Sequence, residues 1–276
     1  MWSQQPFETL LYRRLEQLPE QEKTALVTDY HEARRFVTEE IVGQIAAAEP
    51  DLTDHSEGHL ADVMGRALNL LGTSEHYFTP HELYLLAVSI LFHDVGNLHG
   101  RVEHQNKIAR IYEAARGRKP RFNTERNVIL ATTGAHTGSA KDGGKDTLRD
   151  VGPLSFLNET VKAQEIAAVL RLADELAEGP HRTSAFLLNN GMYKPDSRIF
   201  HKYASVANYV VDPQFGRVAI TYSIYLERGT SGLHAGHDIT VPDLLKRAAT
   251  SFVIAETAAC VTAQAPLREL LEPARM

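Results

Sequence analysis

Leu83-Tyr-Leu-Leu-Ala-Val-Ser-Ile-Leu-Phe-His-Asp94 is the stretch on which the reading of this chain turns. From Leu83 to Phe92 the only polar side-chain atoms are at Tyr84 and Ser89, so the segment is apolar on nearly every side. Length alone would allow a strand, but Leu and Ala outnumber the β-branched residues, which favours a helix. A helix that is apolar all round belongs at the centre of a bundle. It then runs straight into two ionisable side chains, His93 and Asp94, followed by Val95-Gly96-Asn97. Such a pair at the end of a buried helix costs free energy unless it is paired or coordinates a cation; a plain capping pair is the alternative.

Outward from this helix the periodicity stays helical. Between Pro6 and about Glu49, Leu10, Leu11, Leu15 and Leu18, then Ile41, Ile45 and Ala46, recur at three and four, and Pro50 closes the run. Leu60, Val63, Met64, Ala67, Leu68 and Leu71 form one stripe, with Thr53, Asp54 and Ser56 as capping candidates before it and Gly72 after it. Further helices are expected at about His104 to Ala115, Asn123 to Thr133 and Asn158 to Ala177, with Gly138 to Gly152 a mobile surface loop. Beyond Arg182 the pattern changes. Tyr203 to Val211 and Arg217 to Leu226 alternate around Asp212-Pro-Gln-Phe-Gly216 as a β-hairpin, and a last helix is expected from about Val241 to Leu271. The fold class is therefore mostly α, a helical bundle with a small C-terminal β-hairpin and helix appendage.

Composition narrows the function classes. The 276 residues are 43% hydrophobic and 23% charged, enough for a full core, and the formal charge of -6 leaves no basic footprint for extended nucleic-acid binding. One cysteine, Cys260, excludes an intrachain disulfide and reads as core packing. No stretch approaches the roughly 18 apolar residues of a membrane span. Met1 to Phe7, followed by Glu8, lacks the basic start of a secretory signal, so the expectation is a cytoplasmic protein with no membrane partner.

Three further residues join the His-Asp pair. His59 lies four before Val63 and shares its inward face; His136 follows an apolar helix in Thr133-Gly-Ala-His-Thr137; Asp174 is on the inward side of Arg171-Leu-Ala-Asp-Glu175. A lone His, then His-Asp, then a lone late Asp, separated by helices, resembles the HD superfamily of metal-dependent phosphohydrolases over roughly Leu52 to Thr183. The pattern reads as one helical domain in three parts: residues 1–50 as N-terminal helices packing on the core, 51–185 as what the resemblance makes an HD hydrolase domain, and 186–276 as a hairpin and helix completing the same domain. The resemblance also implies that His59, His93, Asp94 and Asp174 hold a first metal, and that Asp94 bridges to a second held by His136 and, next best, His104. Mixed imidazole and carboxylate donors without thiolate suit Fe, Mn, Co, Ni or Zn.

Asn97 stands where many members of the superfamily carry a phosphate-binding Lys, and the Glu-Asp pair of alarmone hydrolases is absent, since Leu98-His99 follows. The surroundings of His104 and His136 look like those of dinucleoside polyphosphate hydrolases, whereas Leu52 to His59 and Leu170 to Thr183 look like a bacterial branch found beside signalling or chaperone-like domains. For phosphate recognition the planar guanidiniums of Arg101 and Arg182 are the candidates, with His99 as a further substrate contact. Arg101 reads almost equally well as an ion-pair partner of Glu103, and Arg182 as a cation drawn to a helix C-terminus. His55 is open between a partner of the site and a helix cap.

The function expected is phosphohydrolase or phosphodiesterase action on a nucleotide or small phosphoester through a metal-activated hydroxide, with Asp94, Asn97 and Arg101 as catalytic residues. The alternatives are a nucleotide-binding sensor with weak or no catalysis and, by analogy with a few di-iron members of the superfamily, an oxygenase. Tyr203, Tyr209, Tyr222 and Tyr225 on the hairpin read as core packing or a homodimer contact, the latter through the hairpin or the C-terminal helix.

Overall fold

The computed structural model describes residues 2–137, 140–144, 146–212 and 217–223. In chain order these form α1 (Pro6–Leu15), α2 (Glu20–Phe36), α3 (Val42–Ala48), α4 (Glu57–Leu71), α5 (Pro80–Phe92), α6 (Ile108–Arg116) and α7 (Asn123–Gly134). Then come the antiparallel pair β1 (Leu154–Phe156) and β2 (Glu159–Val161), α8 (Ala163–Leu176), α9 (Ala185–Asn189), α10 (Pro195–Ala204) and a second antiparallel pair, β3 (Ala207–Asp212) and β4 (Arg217–Tyr222). The chain is mostly α. No helix among the described residues is long and apolar enough to cross a membrane.

The apolar stretch is α5, and it is the axis of the bundle: every side chain from His81 to Phe92 is buried, with α1, α2, α4, α7 and α8 packed around it. Its start is fixed by sequence. Pro80 occupies the first turn, the Thr79 hydroxyl accepts the Glu82 amide at 3.2 Å, and the Glu82 carboxylate accepts the Thr79 amide at 2.8 Å. The other Glu82 oxygen accepts the Lys162 amide at 2.8 Å, so the same residue ties α5 to the head of α8. One buried polar network centres on Glu125, which accepts from Tyr84, Tyr112 and Arg116 at 2.6, 2.8 and 3.0 Å.

Several boundaries differ from the sequence reading. The helix expected from Asn158 begins only at Ala163, because Leu157 and Asn158 take positive φ (48° and 67°) and form the tight turn of β1–β2. Such a turn needs two left-handed residues, and Asn158 is the residue type that tolerates it, whereas Leu157 gives no sign of it. The helix expected from His104 starts as a 3-10 turn, His104–Lys107, behind a left-handed Glu103 (φ 52°), and becomes α-helical at Ile108. Tyr203 belongs to α10, so the hairpin opens at Ala207. The loop from Gly138 to Gly152 is anchored rather than free at its far end, with Thr147 and Leu148 buried and the Thr147 hydroxyl donating to Ala135 O at 2.5 Å. Cys260, Tyr225 and the helix expected at Val241 to Leu271 lie outside the described residues.

The segment after Arg182 is fastened to the bundle. Ala207 and Tyr209 are buried, and Arg66 on α4 donates to Tyr209 O at 3.1 Å. On α10, buried His201 donates through Nε2 to Asp51 O at 3.1 Å and accepts the Thr183 hydroxyl at Nδ1 at 2.9 Å, so one tautomer serves both bonds. α10 is thereby held against the loop that leads into α4.

Candidate metal centre

Four helices point their ends or faces at one place. His93 is the C-cap of α5, and Asp94 leaves the helical conformation (φ -111°, ψ 1°), which turns its carboxylate back beside His93. α4 contributes His59, one turn in from its Ser56 cap, and α8 contributes Asp174 close to its C-terminus. His136 lies two residues past the end of α7, and His104 opens the 3-10 turn.

The ligand atoms fall into two groups that share Asp94. In the first, His59 Nε2 lies 3.3 Å from His93 Nε2, 3.2 Å from Asp174 Oδ1 and 3.7 Å from Asp94 Oδ2, and His93 Nε2 lies 3.2 Å from Asp94 Oδ2. In the second, Asp94 Oδ1 is 3.2 Å from His104 Nε2 and 3.6 Å from His136 Nε2. Each group comes together closely enough to hold a metal ion.

The tautomers explain why. Nδ1 of His93, His104 and His136 each donates to the backbone carbonyl three residues earlier, Ile90, Arg101 and Thr133 respectively. That bond leaves a lone pair on each Nε2, and those lone pairs converge on one another and on carboxylates. His104 Nε2 and His59 Nδ1 are buried without a hydrogen-bond partner. Ligands about 2.1 Å from a common ion stand roughly 3.0–3.4 Å apart, close to the separations here. The donor set therefore fits divalent cations.

The electrostatics call for the same positive charge. Burial alone would push His93 down, but Asp94 and Asp174 outweigh it and hold the imidazole well above its ordinary pKa. Burial would likewise raise both carboxyls; His93 and its neighbours overcome that and keep Asp94 and Asp174 well below the usual carboxylate range. A proton on His93 and a bound cation are alternative ways to supply what the two carboxylates require.

The sequence of residues 49–227 matches the HD-CE family, a span that includes every residue of both groups. The chain belongs to the HD-CE family. No curated protein and no solved structure matches it. An HD-CE domain with a buried His/Asp cluster able to hold metal is thus what the bundle builds.

Asp94, His104, His136 and Asp174 of the HD-CE cluster line an open cavity of about 630 Å3. Asn97 lines it and is 2% exposed, and its side-chain oxygen has no partner among the described residues. Arg101 is at the wall, with its guanidinium 4.1 Å over the Phe200 ring and no ion pair to Glu103. Arg182 also lines the cavity but is buried, with Nε and Nη2 donating to Asp54 O at 2.9 and 2.7 Å and Nη1 meeting Glu178 at 3.3 Å. It braces the 51–54 loop rather than presenting a free fork. His99 is exposed, lies apart from the cavity lining, and lends its carbonyl to Lys107 Nζ at 2.7 Å.

His55, which the sequence left between two readings, belongs to the site. Its Nε2 is 3.3 Å from Asp94 Oδ2 while Nδ1 bonds Thr53 O, and burial, helped by Arg182 and His59 against the pull of Asp94, pushes it down to about 4. Glu178 also lines the cavity and was missed, although it follows Asp174 by four residues and so shares its helical face. Phe200 carried no local signal, being far from Arg101 in sequence.

Proposed function

We propose that this HD-CE chain is a metal-dependent phosphohydrolase or phosphodiesterase acting on a nucleotide or small phosphoester, with two divalent transition-metal ions sharing Asp94. The observation that carries this reading is the pair of ligand groups on the two oxygens of one buried carboxylate, which lines a cavity open to solvent. When bound, such ions lower the pKa of a water and neutralise charge on phosphoryl oxygens. His59, His93 and Asp174 would hold one ion, His104 and His136 the other, and the donor types suit Fe, Mn, Co, Ni or Zn.

The remaining residues have roles that follow from their positions. Asn97 offers an uncharged amide to a phosphoryl oxygen beside Asp94, and Arg101 a bidentate cation at the wall. Arg182 keeps the 51–54 loop, and with it His55, against the site.

The test is metal analysis of the purified chain followed by a turnover screen of nucleotides, cyclic and linear oligonucleotides and simple phosphoesters with the bound metal added. The reading expects metal near two equivalents and phosphoester cleavage that disappears in Asp94→Ala. Full occupancy with no cleavage of any phosphoester would instead favour the sensor reading.

A further inference from the structure

We infer that this cavity selects substrates with a single phosphorus and turns away di- and triphosphates, because Arg101, over the Phe200 ring, is its one uncommitted cation among the described residues. The inference rests on the hydrolase reading and adds the substrate's charge to it.

The cations near the site can be followed one by one. Arg182 is 6% exposed and directs three of its nitrogens to Asp54 O and Glu178. Lys194 pairs with Asp51 at 2.7 Å, and Lys107 Nζ donates to the carbonyls of His99 and Gly100 at 2.7 and 3.1 Å. Arg101 makes no ion pair among the described residues, and its guanidinium is fixed 4.1 Å over Phe200, which α10 brings to the same wall. The ring contact places the cation at the wall, and its N–H groups have no hydrogen-bond partner among the described residues.

The rest of the wall offers no further free cation among the described residues. Asp51, Glu103, Glu175 and Glu178 line the cavity outside the ligand groups; Asp51 is paired with Lys194 and Glu178 with Arg182, whereas Glu103 has no ion-pair partner among the described residues. Sites for polyphosphate chains meet them with several arginines, lysines or backbone amides, since every added phosphoryl group brings charge that must be compensated on leaving water. Here a second or third phosphoryl group would find no such partner and would meet the unpaired Glu103. One phosphoryl group, by contrast, would be matched by cations held at the ligand groups together with Arg101. Phe200, as a positioning residue, also leaves an apolar face (43% exposed) for an uncharged group of the substrate.

The reaction balances without a further reactant. The oxygen of water bonds to phosphorus, the ester P–O bond breaks, and one hydrogen of the water leaves with the alcohol.

The experiment uses the metal-loaded full chain with AMP, ADP, ATP and a simple aryl phosphate, and rechecks metal content after each incubation. kcat/KM for AMP should exceed that for ATP by about tenfold or more, with ADP between, since each step adds like charge beside Glu103. Glu103→Gln should narrow the ratio. Phe200→Ala should raise KM for AMP at constant kcat, and Phe200→Tyr should restore it. ATP cleaved as well as AMP or better overturns the inference and leaves the hydrolase reading standing. If none of the four is cleaved, the hydrolase reading is left to its diester substrates, and calorimetric binding of AMP and ATP to the same protein decides the charge preference separately. Tighter ATP binding then overturns it.

Discussion

His59, His93 and Asp174 come from helices whose apolar faces make the core, and the two imidazoles are 1% and 0% exposed. His104, on the other side of Asp94, sits on a single 3-10 turn behind a left-handed Glu103. What holds that turn in place is backbone packing. A Cβ on Gly96 would lie 2.0 Å from His104 O and 2.7 Å from His104 C, closer than any side chain can come. One half of the centre inherits its geometry from the hydrophobic core, while the other depends on a glycine that lets two short turns touch. The halves should therefore fail independently, except at Asp94.

The most damaging change is the shared one. Asp94→Ala should remove both cations, as read by metal analysis, and lower turnover on the order of a thousandfold or more, the scale of several kcal/mol of lost charge stabilisation. Gly96→Ala should separate the halves. Moving the His104 turn away costs about 1–3 kcal/mol of stability, and the bound metal should fall from two equivalents to one with the His59–His93–Asp174 group still loaded. His104→Ala should give the same stoichiometry without that stability loss. If Gly96→Ala keeps two equivalents, the backbone contact is not what places His104.

Smaller effects belong to the wall and to the core. Arg101→Ala should raise KM about ten- to a hundredfold with metal content unchanged, in line with about 1.5–3 kcal/mol for a hydrogen bond to a charged group. Thr79→Ala removes the cap of α5 far from the chemistry. It should cost about 1 kcal/mol and lower Tm by roughly 2–4 °C while leaving turnover and metal content as they were.

The contrast between the halves also marks what the sequence could reveal. Leu83 to Phe92 declares a central helix because burial on every side leaves no polar face, and His93, Asp94, His59 and Asp174 stand out as ionisable groups on otherwise apolar surfaces. Those signals are local. The β1–β2 turn was hidden because Leu157 takes a left-handed conformation that its residue type does not announce. Gly96 looked like a flanking glycine, since its purpose is visible only once His104 O is seen against it. Phe200 beneath Arg101, and Arg182 tied to Asp54, are likewise tertiary facts with no trace in spacing.

Anomalous diffraction from crystals of the chain grown with its native metal reads the shared carboxylate most directly. Two peaks should flank Asp94, one among His59, His93 and Asp174 and the other beside His104 and His136. A metal-loaded crystal whose peaks lie away from Asp94 would contradict the account.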